Sequence, residues 1–181
     1  MMSMGETGRA LRAGLFGLGA CLAAWNARAD VLDDILRAAG GGEVCYSRTY
    51  STDHLARHPD QRVTRMSLIL TRGASRSEPA SFRIFVTVRG EREVWSASGE
   101  CRRRGGIVCD VECDGGGFAI GATSTTEALQ IALDRPHGRI SMSGCDGGER
   151  DVAAGRDDRR FRLDRAPGQV CAAIAAATPG N

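Results

Sequence analysis

The chain has 181 residues, of which 24 are basic and 22 acidic, giving a formal charge of +2; every basic residue is Arg. A charged fraction of 25% beside 42% hydrophobic residues argues against a disordered or collagenous chain. The small net charge argues against a dedicated nucleic-acid binder.

Residues 1–29 have the order of a secretory signal. Arg9 and Arg12 form a positive n-region, Ala13 to Trp25 an apolar run, and Ala27-Arg28-Ala29 a small-x-small cleavage site ahead of Asp30. The apolar run is shorter than the ~20 residues that span a bilayer, and no other stretch approaches that length. Leu18-Gly19-Ala20-Cys21 also resembles a lipobox, so lipidation at Cys21 is the alternative route of export. Three Arg and one Glu fall within residues 1–29, leaving 21 basic and 21 acidic side chains in a neutral domain of residues 30–181. Six of the seven Cys stay with that domain: Cys45, Cys101, Cys109, Cys113, Cys145 and Cys171. An even count in an exported chain points to disulfides.

Asp30 to Gly40 places Val31, Leu32, Ile35, Leu36 and Ala39 at helical spacing and predicts one short N-terminal helix. Beyond Gly42 the apolar period becomes two. Val44, Tyr46, Arg48 and Tyr50 share one face, then Met66, Leu68 and Leu70, then Phe82, Ile84, Val86 and Val88. Trp95, Ala97 and Cys101 follow, then Ile107, Cys109, Val111 and Cys113, then Phe118 with Ile120. Leu129, Ile131 and Leu133, Ile140 with Met142, and Phe161 with Leu163 close the series. Turn residues separate the runs, as at Arg89-Gly90-Glu91, Arg104-Gly105-Gly106, Asp114 to Gly117 and Pro136-His137-Gly138. The expected fold is all-β, an antiparallel meander of about eight or nine strands. A small up-and-down barrel of lipocalin-like shape is favoured over a two-layer sandwich, because closure removes exposed edges. A domain of this length buries an adequate core unaided, so no cofactor is expected.

Cys101 and Cys109 flank the Arg102–Gly106 turn and could bridge one hairpin; Cys45 and Cys171 could clasp the two ends, leaving Cys113 with Cys145. This is one of about 15 connectivities that six Cys allow.

Asp110, Glu112, Asp114 and Gly115 resemble the opening of a calcium loop, but Gly121 stands where the bidentate carboxylate belongs, so a solvated strand face is expected. His54 and His58 have a spacing that can hold zinc on a helical turn. Leu55 replaces the Glu of a metalloprotease, and a surface helix capped by Asp53 and stopped by Pro59 is expected instead. The Cys spacings are not Cys-x-x-Cys, and no Gly-x-Ser-x-Gly elbow occurs. Arg102–Arg104 and the Arg156–Arg162 run read as solvated surface. Cys113-Asp-Gly-Gly and Cys145-Asp-Gly-Gly read as reused turn chemistry.

The run from Cys45 to Val63, the Cys101/Cys109 hairpin, Asp114 to Gly116 with Phe118, and Asp157-Asp158 with Phe161 are similar to segments of small exported β-proteins of GC-rich Gram-negative bacteria. That resemblance implies an exported β domain and brings no activity or site with it.

A periplasmic or secreted, non-enzymatic binding or interaction module is therefore expected, with an envelope protein or a small apolar ligand as partner. Its candidate binding residues are Tyr46, Arg48, Tyr50, His54, His58 and Gln61, which gather aromatic, cationic and hydrogen-bonding groups toward one barrel end. The competing class is a glycan- or lipid-acting hydrolase, which needs two acids facing one cleft at about 5–10 Å. A carrier needs an interior cavity lined by Phe82, Ile84, Trp95 and Ile131.

Overall fold

The computed structural model describes residues 31–178 apart from 39, 41, 76–77, 124, 134–137 and 143–149. The expected signal segment with Cys21, and also His137 and Cys145, lie outside the described residues. In chain order the elements are α1 (Val31–Ala38), β1 (Glu43–Thr49), α2 (Thr52–Arg57), β2 (Val63–Thr71), β3 (Ala80–Val88), β4 (Val94–Arg103), β5 (Ile107–Val111), β6 (Gly117–Ala122), β7 (Ala128–Ala132), β8 (Arg139–Met142), β9 (Arg150–Ala153), β10 (Arg160–Ala166) and α3 (Gly168–Ala176).

Eight strands close a barrel in the order β1-β10-β7-β6-β5-β4-β3-β2, and every neighbouring pair is antiparallel. The meander holds from β1 to β7. It is then interrupted, because β8 and β9 form a separate two-stranded sheet before β10 returns to close the wall.

The alternation read from the sequence is the barrel's inside and outside. Leu68, Leu70, Phe82, Ile84, Phe118, Ile131, Phe161 and Leu163 are all buried in one cluster, each contributing about 1.5–3 kcal/mol. The Phe82 and Phe118 rings meet edge to face with centroids 5.0 Å apart. Gly99 makes room for that contact. A Cβ there would lie 2.1 Å from the Asp110 carbonyl oxygen and 2.8 Å from the Phe82 ring.

Both barrel ends are covered. At one end α1 buries Leu32, Ile35 and Leu36, and Asp33 is tied to Arg103 on β4 at 2.6 Å. At the other the β8–β9 hairpin contributes Ile140, Met142 and Val152 to the same core. Glu91 anchors that hairpin, accepting from Trp95 Nε1 at 2.9 Å and pairing with Arg150 at 2.6 Å, while the Arg150 guanidinium lies over the Trp95 ring. The Ile140–Gly116 bridge completes the join. Outside the wall, α3 packs Cys171 and Ile174 against Cys45, Ile69 and Phe85.

Disulfides join Cys45 to Cys171 and Cys101 to Cys109, the latter directly opposed on β4 and β5. Cys113 is also disulfide-bonded. It stands with Asp114 in the left-handed region, at φ 56° and 58°, in the turn between β5 and β6.

The eight strands of the barrel agree with the expected eight or nine; β8 and β9 stand outside it, and β9, with the single buried side chain Val152, shows no alternation to read. Two points differ from the sequence reading. The N-cap of α2 is Ser51, whose Oγ accepts the His54 amide at 3.2 Å, and not Asp53, which lies inside the first turn. The helix α3 is additional: its run of Ala has no polar-apolar contrast to betray it in the sequence.

Candidate functional site

Five of the six candidate residues meet at the barrel end that carries α2. Tyr50 follows β1 directly and turns the chain into α2. Its ring lies 4.9 Å from that of His54, and the His54 and His58 rings stack at 4.4 Å. The Arg48 guanidinium also lies over the Tyr50 ring, 5.5 Å from its centroid. A continuous stack Arg48–Tyr50–His54–His58 results, set by a spacing of four along α2 and two along the strand.

The support beneath the stack is polar and buried. Gln61 is 3% exposed, its Oε1 accepting from His54 Nε2–H at 3.0 Å and its Nε2–H donating to the Val63 carbonyl at 2.7 Å. Asp158, 4% exposed, accepts the amides of Arg62 at 2.7 Å and Val63 at 3.4 Å, fastening the β9–β10 loop to the start of β2. Burial pushes its carboxyl above the usual range; the two amide bonds and Arg62 oppose that shift. Asp157 accepts from the Asp60 amide at 3.2 Å and faces His58 Nδ1 at 3.9 Å. Arg89 donates to the carbonyls of Leu55 and His58 at 3.1 and 3.3 Å, closing the C-terminal end of α2.

Tyr46 does not join this group. It is fully buried inside the barrel, and its hydroxyl donates at 2.6 Å to the carbonyl of Thr126, in the β6–β7 loop at the opposite end. Burial raises both phenols to about 12, with Arg165 opposing the shift at Tyr46 and Arg48 opposing it at Tyr50. Gln61 serves as a support rather than a presented group. Asp158, absent from the sequence-based candidates, is central to the site. Its only sequence signal is a place in an acidic pair within an Arg-rich run.

The other candidate chemistries resolve into structure. Arg102 and Arg104 face Asp110 at 3.6 and 3.9 Å, and Glu112 accepts from Ser98 at 2.8 Å. No cluster of three His, Cys, Asp or Glu side chains suited to a metal occurs among the described residues. Phe82, Ile84 and Ile131 are 2%, 0% and 0% exposed in packed contact, so side chains fill the space a carried ligand would take. The described cavities lie at the barrel's outside and ends. No described helix is long and apolar enough to cross a membrane.

No protein-family model matches the chain, and neither curated proteins nor solved structures yield a match.

Proposed function

We propose that the protein is an exported, non-enzymatic interaction module of the cell envelope, and that its contact surface is the barrel end bearing α2. The observation that carries this reading is the Arg48–Tyr50–His54–His58 stack, half-exposed at its outer members and held from below by Asp158 and Gln61. A rigid aromatic and cationic surface on a filled barrel suits recognition of a protein better than carriage. Disulfides fit a compartment outside the cytoplasm. The test is a photo-crosslinking side chain placed at His58 or at Arg102, at the far end of the barrel, in cells of the source organism. A discrete crosslinked species from position 58 and none from position 102 is expected. Equal labelling from both, or none from either, overturns the assignment.

A second reading, hydrolysis of glycan or lipid by paired carboxylates, is favoured by one observation. Asp60, Asp151 and Asp158 line a common cavity of about 210 Å³ between the hairpin and the barrel, and Asp158 is biased toward its neutral form. Cleavage of chromogenic glycosides or esters that Asp158→Asn abolishes would establish it; no cleavage by the unaltered protein removes it.

A further inference from the structure

The barrel is closed, yet one of its seams stops short. β1 pairs with β2 over its whole length to Thr49↔Arg65, and β10 pairs with the whole of β7, from Asp164↔Ala128 to Arg160↔Ala132. Between β1 and β10 the register covers only Cys45↔Ala166, Tyr46↔Arg165 and Ser47↔Asp164. Hydrogen-bond parity identifies the rung that is missing. The Tyr50 amide donates to Thr64 on the β2 side, so the alternate residue Thr49 directs its main-chain groups toward β10. The Arg165 amide donates to Glu127 and the Leu133 amide to Arg159 on the β7 side, so Arg162 directs its groups toward β1. Thr49 and Arg162 are therefore the next hydrogen-bonded pair of this ladder, and the pair is not formed. In its place the Tyr50 hydroxyl reaches across to the Arg162 carbonyl oxygen at a long 3.4 Å. Both Thr49 and Arg162 are exposed.

Charge marks the same place. Arg48 Nη1 and Arg162 Nε lie 3.1 and 2.9 Å from the two oxygens of one carboxylate, Asp164. Two guanidiniums share a single acid, leaving positive charge and unused donors beside an open pair of strand edges.

We propose that this fork between β1 and β10 is a strand-addition site, which takes an extended acidic segment of a partner protein. The partner's main chain occupies the rung at Thr49 and Arg162, displacing the Tyr50 hydroxyl, and its carboxylates engage Arg48 and Arg162. Main-chain bonds supply the affinity in such a mode and alternate side chains the selectivity. The proposal rests on the interaction reading above and names how that face would bind.

The probe is a fluorescent peptide of about eight residues alternating Asp and Val, with a Lys–Val peptide as control, added to the oxidised full chain. The Asp–Val peptide should bind, weaken as salt rises, and slow hydrogen exchange at the Thr49 and Arg162 amides. The Lys–Val peptide should not bind. Thr49→Pro removes the amide facing the fork while the Tyr50–Thr64 bond to β2 stays, and should weaken binding at least about tenfold. Arg162→Gln should weaken it and flatten the salt dependence, whereas Tyr50→Phe frees the Arg162 carbonyl and should tighten it. Absence of binding, or protection confined to other residues, overturns the proposal. So does affinity unmoved by both Arg162→Gln and Tyr50→Phe, which also covers a Thr49→Pro chain that does not fold. Crosslinks from His58 with no peptide binding would retain the interaction face and remove strand addition; peptide binding without crosslinks would do the reverse.

Discussion

The β3–β4 ladder runs through eight consecutive residue pairs, and β2–β3 through eight with one register shift near Val63, whereas β1 meets β10 through three. The inner face of the first wall is apolar: Leu68, Leu70, Phe82, Ile84 and Val86. The seam instead carries Tyr46, Arg48 and Tyr50 against Asp164 and Arg165. Main-chain bonds and apolar burial hold the wall. The seam is closed by side-chain bonds across a fork, and by the Cys45–Cys171 bridge that fastens β1 to the helix following β10. β1 and β10 are thus joined by three rungs at the end where Cys45 is also bonded to Cys171, and by side chains alone at the Tyr50 end.

The largest effects are expected at the disulfides. In the chain-entropy account the Cys45–Cys171 bridge, with a sequence separation of 126, stabilises by about 5 kcal/mol, and the Cys101–Cys109 bridge, with a separation of 8, by about 2.5 kcal/mol. Replacing each pair by Ser should shift the urea midpoint in that ratio; equal shifts would show that the seam does not depend on its bridge. Next, Phe82→Ala in the wall should cost about 3–5 kcal/mol by emptying the space against Phe118 and Gly99. Tyr50→Phe at the seam should cost about 0.5–1 kcal/mol, because the bond lost is long. Comparable losses from these two changes would erase the distinction between the regions.

Asp158 gives the α2 end of the barrel a pH dependence. Its carboxyl is raised in the folded state, so the folded chain holds a proton that the unfolded chain releases near 3.8. Stability should therefore fall as pH rises from 3.8 to the folded value, by at most about 1.4 kcal/mol per pH unit, and level off above it. Asp158→Asn should remove that component from an unfolding series across the acid range. The smallest signal is spectroscopic. The chain has two Tyr residues, one within the barrel and one at the fork. Both phenols are raised to about 12, so tyrosinate absorbance should be nearly absent at pH 10 in the folded protein. Because the unfolded phenols ionise near 10, stability is lost as pH climbs from 10 to 12. A phenol titrating near 10 with the fold intact would show that the fork admits water to Tyr50.

Much of the barrel could be read from period two alone, because Phe161 and Leu163 alternate with the exposed Arg160 and Arg162, Ile107, Cys109 and Val111 with half-buried neighbours, and turn residues punctuate the runs. The Cys101–Cys109 bridge was equally legible, since two Cys of like parity flank one turn. Other features were less legible. The Ala run of α3 favours a helix by propensity, but it is apolar all round and has no amphipathic period, so the face it buries is set by the Cys45 and Phe85 surface it covers. Tyr46 and Tyr50 share one face by parity, but the Tyr46 hydroxyl reaches the Thr126 carbonyl at one end of the barrel and the Tyr50 hydroxyl the Arg162 carbonyl toward the other. Asp158 is indistinguishable in sequence from its neighbour Asp157. Its role comes from the Arg62 and Val63 amides, which are 96 and 95 residues distant along the chain.

The Cys45–Cys171 bond also turns most of the polypeptide into a ring. A protease that cuts once anywhere between those residues opens the ring without releasing a fragment. The nicked molecule keeps both pieces on one covalent thread, migrates intact on a non-reducing gel, and separates only when thiol is added. For a protein working where proteases circulate, the first cut is then an event that can be survived.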